Sequence, residues 1–475
     1  MRNYSKNIRP FTAISDCNFG RRKIVLNKMP TDENVVELLN KCLPIHSQNA
    51  DEIAYLNRYY EGDQPILYRT KEIRPEVNNK IVVNLAFELV ERKVADMFAE
   101  PMQYVLRGTD ERKSDEITRL NVMMETEDKQ ECDVEIGRWR SICGTAYRFV
   151  GEDGKNGDLL DETGFYLTCE DPGATFVAYN SNDKPVMSCQ IRKNEDDMDV
   201  YHVYTRTKYY VIENGEIIQS GVNGNFAIPV VEYPNNSRRL SDVEITILVT
   251  DAINKLQSDR INGVEQFVSS FIKFVNCEVD EDSFRDMRRV GAIKVTSNNG
   301  DSGKADVDIM TSELDQEQGQ IIFDDLFEKF LSIQGLSNRQ GNGSGDTAGA
   351  VQLRNGHYDN GLRTAINEPI LKKSERQMLR IVLNKLRIKE QFSLTIGDVE
   401  IHINHNKMDN MLTKAEVLKI LLECGVYYKR AIKEVDMFSD PEQVAAESKE
   451  RMEKLYSSDV ITSGETDIQV TSEQS

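Results

Sequence analysis

Gly343, Gly345 and Ala348 fit the pattern G-x-G-x-x-A, the spacing with which a tight turn brings backbone amides and a helix N-terminus up to a pyrophosphate. They lie in NRQGNGSGDTAGAVQLR, residues 338–354, where Gly341, Gly343, Gly345 and Gly349 fall within nine residues. That fingerprint needs a buried strand directly before the turn. Here ELDQEQGQIIFDDLFEKFLSIQGL, residues 313–336, places Phe323, Leu326, Phe327, Phe330 and Leu331 at helical spacing instead. The favoured reading is therefore a loop between helices with small polar tips at Asn342, Ser344 and Thr347, and nucleotide binding by residues 341–349 stands as the alternative.

Other residues with chemical capacity are weaker candidates. The run from Glu195 to Asp199 lacks the alternating ligand spacing of a calcium loop and reads as a solvated turn. Asp306 and Asp308 share one strand face, but no third ligand is near them in sequence, so an acidic surface is expected. His402 and His405, three apart in an alternating stretch, point to opposite sides of a strand and cannot chelate together. No P-loop, G-x-S-x-G elbow or H-E-x-x-H zinc helix occurs, and five histidines leave few candidates for a His-based site. Eight cysteines without a C-x-x-C pair indicate neither a zinc ribbon nor a redox motif, so reduced thiols are expected. No metal site, cofactor or catalytic residue is expected.

The elements around these positions follow from periodicity. Residues 51–105 read as two helices, with Leu85, Phe87, Val90, Val94 and Phe98 in one stripe, and residues 110–143 as a charged helical stretch with Trp139 in the core. Residues 145–233 alternate between short strands and turns, with Asn214-Gly215 as a hairpin signal. From Ser241, in capping-box spacing with Glu244, a helix of 34 residues and about 50 Å is expected. Its apolar stripe is Ile245, Leu248, Ala252, Leu256, Val264, Phe267 and Phe271, with Gly263 as its weak point. An insert at 275–312, a second helix at 313–336, a third at 348–388 interrupted by Pro369, and the strand FSLTIGDVEIHINHN come next. A small helical domain follows residue 406, and an acidic tail expected to be disordered begins at Ser457. The first fifty residues give no reading.

At 475 residues the chain has room for roughly three domains. Its hydrophobic fraction of 39% argues against wholesale disorder, while 29% charged residues and a mean hydropathy of −0.51 imply much exposed surface. A net charge of −20 excludes a protein that grips nucleic acid through its backbone, because that needs Lys and Arg to displace counterions. It is compatible with a wall past which DNA slides. No stretch of about 18 apolar residues and no apolar leader occur, so neither membrane spanning nor secretion is expected.

Four stretches resemble the portal proteins of tailed bacteriophages, specifically the long-tailed phages of Gram-positive hosts: YYEGD (Tyr59–Asp63), NNKIVVNLA (Asn78–Ala86), IPVVEYPNN (Ile228–Asn236) and GSGDTAGAVQL from Gly343. GVYYKRAI and DPEQVAAES sit where that family has its C-terminal helical domain, so the resemblance covers roughly residues 50–455. It implies an α+β portal architecture: a mixed wing at 51–240, a first stem helix at 241–274, a clip at 275–312 and a second stem helix at 313–336. A tunnel loop at 337–350, a kinked wing helix and strand at 351–405 and a helical crown at 406–456 complete it. In such proteins a ring, usually of twelve copies, sits at one capsid vertex of the virion after assembly in the host cytoplasm.

The resemblance further implies a non-enzymatic conduit for double-stranded DNA during packaging and ejection. Its partners would be the terminase large subunit, which hydrolyses ATP, the head-tail adaptor, and the major capsid and scaffolding proteins. Arg339, Gln340, Asn342, Gly343, Ser344, Gly345, Asp346 and Thr347 would face DNA, and Arg285, Arg288 and Arg289 would meet a partner at the clip. Surface ion pairs are an equal reading of those arginines. A soluble scaffold or adaptor that never meets DNA is the remaining alternative.

Overall fold

The computed structural model describes residues 20–72, 75–108, 110–152, 163–268, 271–275, 306–310, 316–336, 357–390, 392–403, 411–435 and a few positions between 438 and 449. For 266–268, 271–275, 306–310, 316, 357–365, 389–390 and 411–413 it describes the backbone alone. In chain order, strand β1 (Ile24–Val25) precedes helix α1 (Val35–Tyr60), a 3-10 turn (Pro65–Tyr68), α2 (Leu85–Phe98), β2 (Gln103–Leu106), α3 (Glu111–Thr126) and α4 (Lys129–Cys143). Next come β3 (Thr145–Gly151), β4 (Tyr166–Glu170), β5 (Thr175–Tyr179), β6 (Pro185–Lys193), β7 (Asp199–Thr205), β8 (Lys208–Glu213), β9 (Glu216–Val222) and β10 (Val230–Pro234). Helix α5 (Asp242–Val268), β11 (Phe271–Val275), β12 (Asp306–Met310), α6 (Gln316–Gln334), α7 (His357–Glu390), β13 (Val399–His402), α8 (Met411–Glu423) and α9 (Tyr428–Val435) follow. The class is α+β. Two compact units are built from these elements, one from the described parts of Ala54–Glu88 and Asp242–Arg363, the other from those of Phe19–Ile53, Leu89–Ser241 and Thr364–Ser475.

The second unit holds a sheet in the order β1-β5-β6-β7-β8-β9, antiparallel throughout except for the parallel pair β1–β5. Val35, Leu38, Leu39 and Cys42, at i, i+3, i+4 and i+7 of α1, close over Phe176, Ala178, Met187, Cys189, Val203, Tyr210 and Ile212 on one face of it. Asn214 (φ 51°) and Gly215 (φ 82°) join β8 to β9, the left-handed pair that a two-residue hairpin requires. Two smaller sheets, β10-β3-β4 and β13-β2, are also antiparallel.

Several expectations need correction. Residues 110–143 form two helices, because Asp128 adopts φ 48° between them; Asp110 caps the first by accepting from the amides of Arg112 and Lys113. Trp139 is only half-buried, whereas its neighbour Arg140 is buried. Phe87 leaves the expected stripe of α2 and is 48% exposed, stacking on Tyr60 at 5.5 Å between ring centroids. The strand expected from Phe392 shrinks to Val399–His402, because Thr395 and Asp398 close a turn in which the Asp398 carboxylate accepts from the Thr395 amide at 2.9 Å. Pro369 lies inside α7, which continues through it.

In the first unit, α5 ends at Val268 and β11 begins at Phe271, so the helix has 27 residues, about 40 Å, rather than 34. Gly263 sits within it without ending it. In the second unit, the Ser241 hydroxyl donates to the carbonyls of Ser141 (3.1 Å) and Ile142 (2.7 Å), the last turn of α4. Strands β11 and β12 pair antiparallel, with Lys273 opposite Asp308 and Val275 opposite Asp306.

Candidate functional site

The buried face of α5 carries a polar stripe beside the buried Val243, Ile247 and Ile253. Thr246, Thr250, Asn254, Ser258 and Asn262, each four residues from the last, are between 0% and 2% exposed. Against this stripe lies the extended segment 79–83, part of the motif NNKIVVN. The Asn79 amide donates to Asn262 Oδ1 (2.7 Å), the Ile81 amide to Ser258 Oγ (2.9 Å) and the Val83 amide to Asn254 Oδ1 (2.7 Å). The match is geometric: four helical residues advance about 6.0 Å and two extended residues about 6.6 Å, so alternate amides meet successive turns. Side chains thus replace the sheet partner that the segment lacks.

The surrounding amides complete the seam. Asn254 donates to Gln64 Oε1, and Gln64 Nε2 donates to Asn84 Oδ1 (3.0 Å) and to the Tyr59 carbonyl (3.1 Å). Asn84 Nδ2 donates to the Tyr60 carbonyl at 2.9 Å, so the YYEGD and NNKIVVN motifs are tied by side-chain amides. Buried polar groups require such partners, which explains why amides recur there.

Helix α6 packs antiparallel to α5. At one end Gln334 Nε2 donates to the Asp242 carbonyl (2.7 Å) and to Thr246 Oγ1 (2.9 Å); at the other Arg260 Nη1 donates to Gln320 Oε1 (3.1 Å). Gly319 faces the Arg260 side chain across this pair, where a Cβ would lie in ordinary contact, 3.4 Å from Arg260 Cδ. Phe323, Phe327 and Phe330 stack along α6 at 5.9 and 6.5 Å.

Apart from Val243, Ile247 and Ile253, which are buried, α5 carries a second apolar stripe that turns outward. Ile245 is 42%, Leu248 49% and Val264 46% exposed, Ala252 is exposed and Leu256 half-buried, the reverse of a core-facing stripe. Ile321 and Ile322 of α6 are exposed as well. A pair of helices with its polar seam filled and its apolar face uncovered can serve as a contact surface.

On the same helix, Asp251 Oδ1 accepts from the Tyr59 hydroxyl at 2.8 Å. Burial lifts the Asp251 carboxyl to about 6, the Tyr59 hydrogen bond opposing it in part. Burial, with Asp251 beside it, likewise pushes the Tyr59 phenol well up.

The second unit carries a cluster that no local sequence pattern announces. Lys129 and Asp133 of α4, Arg148 of β3 and Glu375 of α7 form a closed network with side chains between 0% and 5% exposed. Lys129 Nζ lies 2.5 Å from Asp133 and 2.9 Å from Glu375, and Arg148 reaches Asp133 and, at 3.3 Å, Glu375. Tyr104 and Tyr233 donate their hydroxyls to Glu375 at 2.5 and 2.8 Å. Burial pushes the Glu375 carboxyl up, but Lys129 and Arg148, with the Tyr104 hydrogen bond, pull it down further, to about 2. Two cations and two anions cancel, so the network holds elements together and exposes no group for catalysis.

Among the described residues no group of His, Cys, Asp and Glu is placed to hold a metal ion, and no helix is long and apolar enough to cross a membrane. The turn Glu195–Asp199 is exposed, as expected of a solvated turn. His402 is on β13, 3.9 Å from Glu400, while His405 lies outside the described residues. So do Arg339, Gln340, Asn342, Gly343, Ser344, Gly345, Asp346 and Thr347, together with Arg285, Arg288 and Arg289. The seam residues were missed because Thr, Asn and Ser on a helix read as surface; their strict spacing of four was the available signal.

No curated protein matches the chain. A family model does: the one described as phage portal protein, SPP1 Gp6-like, matches residues 39–455.

Proposed function

Because the chain belongs to the SPP1 Gp6-like phage portal protein family, a structural family of the capsid and of DNA packaging, we propose that it forms the ring at one capsid vertex through which double-stranded DNA enters and leaves. The family match over 39–455 carries this reading. Three features support it. The outward apolar face of α5 suits a neighbour: in a ring each copy offers one patch to a different patch on the next, and the contact closes at a fixed rotation. A net charge of −20 keeps phosphate from lodging on the wall. The antiparallel pair α5 and α6 brackets residues 269–315, a span that contains the 275–312 expected to form the clip.

In this reading α5 and α6 are the two stem helices, and residues 337–350 form the tunnel loop, with Arg339, Gln340, Asn342, Gly343, Ser344, Gly345, Asp346 and Thr347 toward DNA. Arg285, Arg288 and Arg289 meet the terminase large subunit, which supplies ATP hydrolysis, and later the head-tail adaptor. Residues 51–240 with 351–405 form the wing and 406–456 the crown. Twelve copies are expected.

Replacing Gly343 and Gly345 together by alanine tests the assignment. Rings that assemble normally and package DNA poorly are the expected result. Unchanged packaging, or loss of a nucleotide that the unaltered protein binds, would contradict it.

A further inference from the structure

We propose that β9 is a strand-addition site for an extended segment of another protein, a segment with alternate β-branched residues and lysine or arginine at its C-terminal end. This goes beyond the portal role and does not depend on it. Strand β9 is the last of the six-stranded sheet, and among the described residues no strand pairs with its outer edge. It is seven residues long, with no Lys and no Pro, two of the devices by which edges are normally guarded, and its one bulge, at Ile218, lies near its start and leaves Gln219–Val222 in regular register.

Its faces are open too. The apolar core under α1 reaches Tyr210 and Ile212 of β8 and includes no residue of β9. Six of the seven β9 residues are exposed, among them Ile218 at 58% and Val222 at 68%, with Phe226 at 57% just beyond. An added strand would complete the ladder and cover these side chains.

Charge selects the occupant and its direction. The pairings Lys193–Asp199, Val200–Glu213 and Glu213–Glu216 bring the β6–β7 and β8–β9 turns to one end of the sheet, where Asn194 Nδ2 donates to Glu213 Oε1 at 2.5 Å. Glu195, Asp196, Asp197, Asp199, Glu213 and Glu216 gather there. Lys193 lies between Asp197 (3.6 Å) and Asp199 (3.3 Å), and Arg192 is held by Glu170 at 2.8 Å. The excess is strongly negative. Because β9 starts at this end and the ladder from β5 to β9 is antiparallel, an incoming antiparallel strand ends there, so its basic residues belong at its C-terminus.

The test uses the purified full-length chain and three synthetic octapeptides. One alternates valine and threonine and ends in two lysines, the second ends in two glutamates, and the third is the lysine peptide with a central valine replaced by proline. Hydrogen exchange of residues 216–222 and fluorescence anisotropy are read at about 50 and about 500 mM salt, which spans strong to weak screening. The lysine peptide is expected to slow exchange across β9 about tenfold, and the glutamate and proline peptides to bind at least about fivefold more weakly, with salt removing the difference between lysine and glutamate tails. The surface variant V222K should weaken the lysine peptide by a similar factor without shifting the unfolding midpoint. Equal binding by all three peptides, no added protection, or full protection of β9 before any peptide is added, as when another copy already covers the edge, would overturn the proposal.

Discussion

Replacing Glu375 by glutamine removes one of four charges from the buried network and leaves Lys129 and Arg148 facing Asp133 alone, an uncompensated positive charge at side chains no more than 5% exposed. Breaking a buried pair in this way costs about 3–5 kcal/mol, because the orphaned ion keeps its desolvation penalty and loses its partner. The hydrogen bonds add little to that figure, since the glutamine carbonyl still accepts from one of Tyr104 and Tyr233. Trp139, the only tryptophan, sits half-buried on α4, the helix that carries Lys129 and Asp133, so its fluorescence during urea unfolding reports this unit. The double variant R148M with E375L removes one charge of each sign and leaves the balanced Lys129–Asp133 pair; it should lose far less than the sum of its single changes. The acid side gives a second check. The folded Glu375 carboxyl, at about 2, lies below its ordinary 4.5, so its contribution is fully present above pH 4.5 and is lost as pH falls through about 2. The unaltered chain should therefore lose stability on acidification more steeply than E375Q. An E375Q chain within about 0.5 kcal/mol of the unaltered one, or a double variant as unstable as the summed singles, would refute the reasoning.

Three further outcomes follow from the geometry. N254L strips the acceptor from the Val83 amide and should cost about 1–3 kcal/mol, with hydrogen exchange accelerated at residues 79–84. Asp251, whose folded carboxyl at about 6 lies above its ordinary 3.8, contributes stability that is full below pH 3.8 and lost as pH rises through about 6. The melting temperature should thus fall between pH 5 and pH 7.5 more in the unaltered chain than in D251N. Gly144, at φ +83° and with any Cβ placed 2.0 Å from the Arg239 carbonyl oxygen, should not tolerate alanine, whereas G215A, at φ +82° in open space, should fold with a modest loss; soluble yield and melting temperature separate them.

The parts of this protein that read directly from sequence are those governed by local rules. Asn214-Gly215 announces its hairpin because few residues accept positive φ, and Phe330 and Leu331 of α6 are buried where their spacing puts them. The early part of α1 was legible in Val35, Leu38, Leu39 and Cys42 and went unread. What failed was the direction of α5. Ile245, Leu248 and Ala252 form an apolar stripe, and within one chain such a stripe faces the core; here the core side carries Asn254 and Ser258, whose partners are backbone amides 171 to 177 residues away. Glu375 and Arg148, 227 residues apart, are hidden for the same reason. The spacing of four along the seam is visible in sequence, but the partners that such distant side chains meet are not, whereas the outward stripe of α5 fits a surface that a second copy covers.

The central claim is a closed ring of identical copies around a hole wide enough for a DNA duplex. Electron microscopy of the purified full-length chain, with L248K beside it, addresses this most directly. Annular particles with an open centre for the unaltered chain, and their loss in L248K without loss of the folded subunit, are the expected results. Single copies without a pore at every concentration, or rings that L248K leaves intact, would contradict the claim and the role assigned to the outward face of α5 respectively.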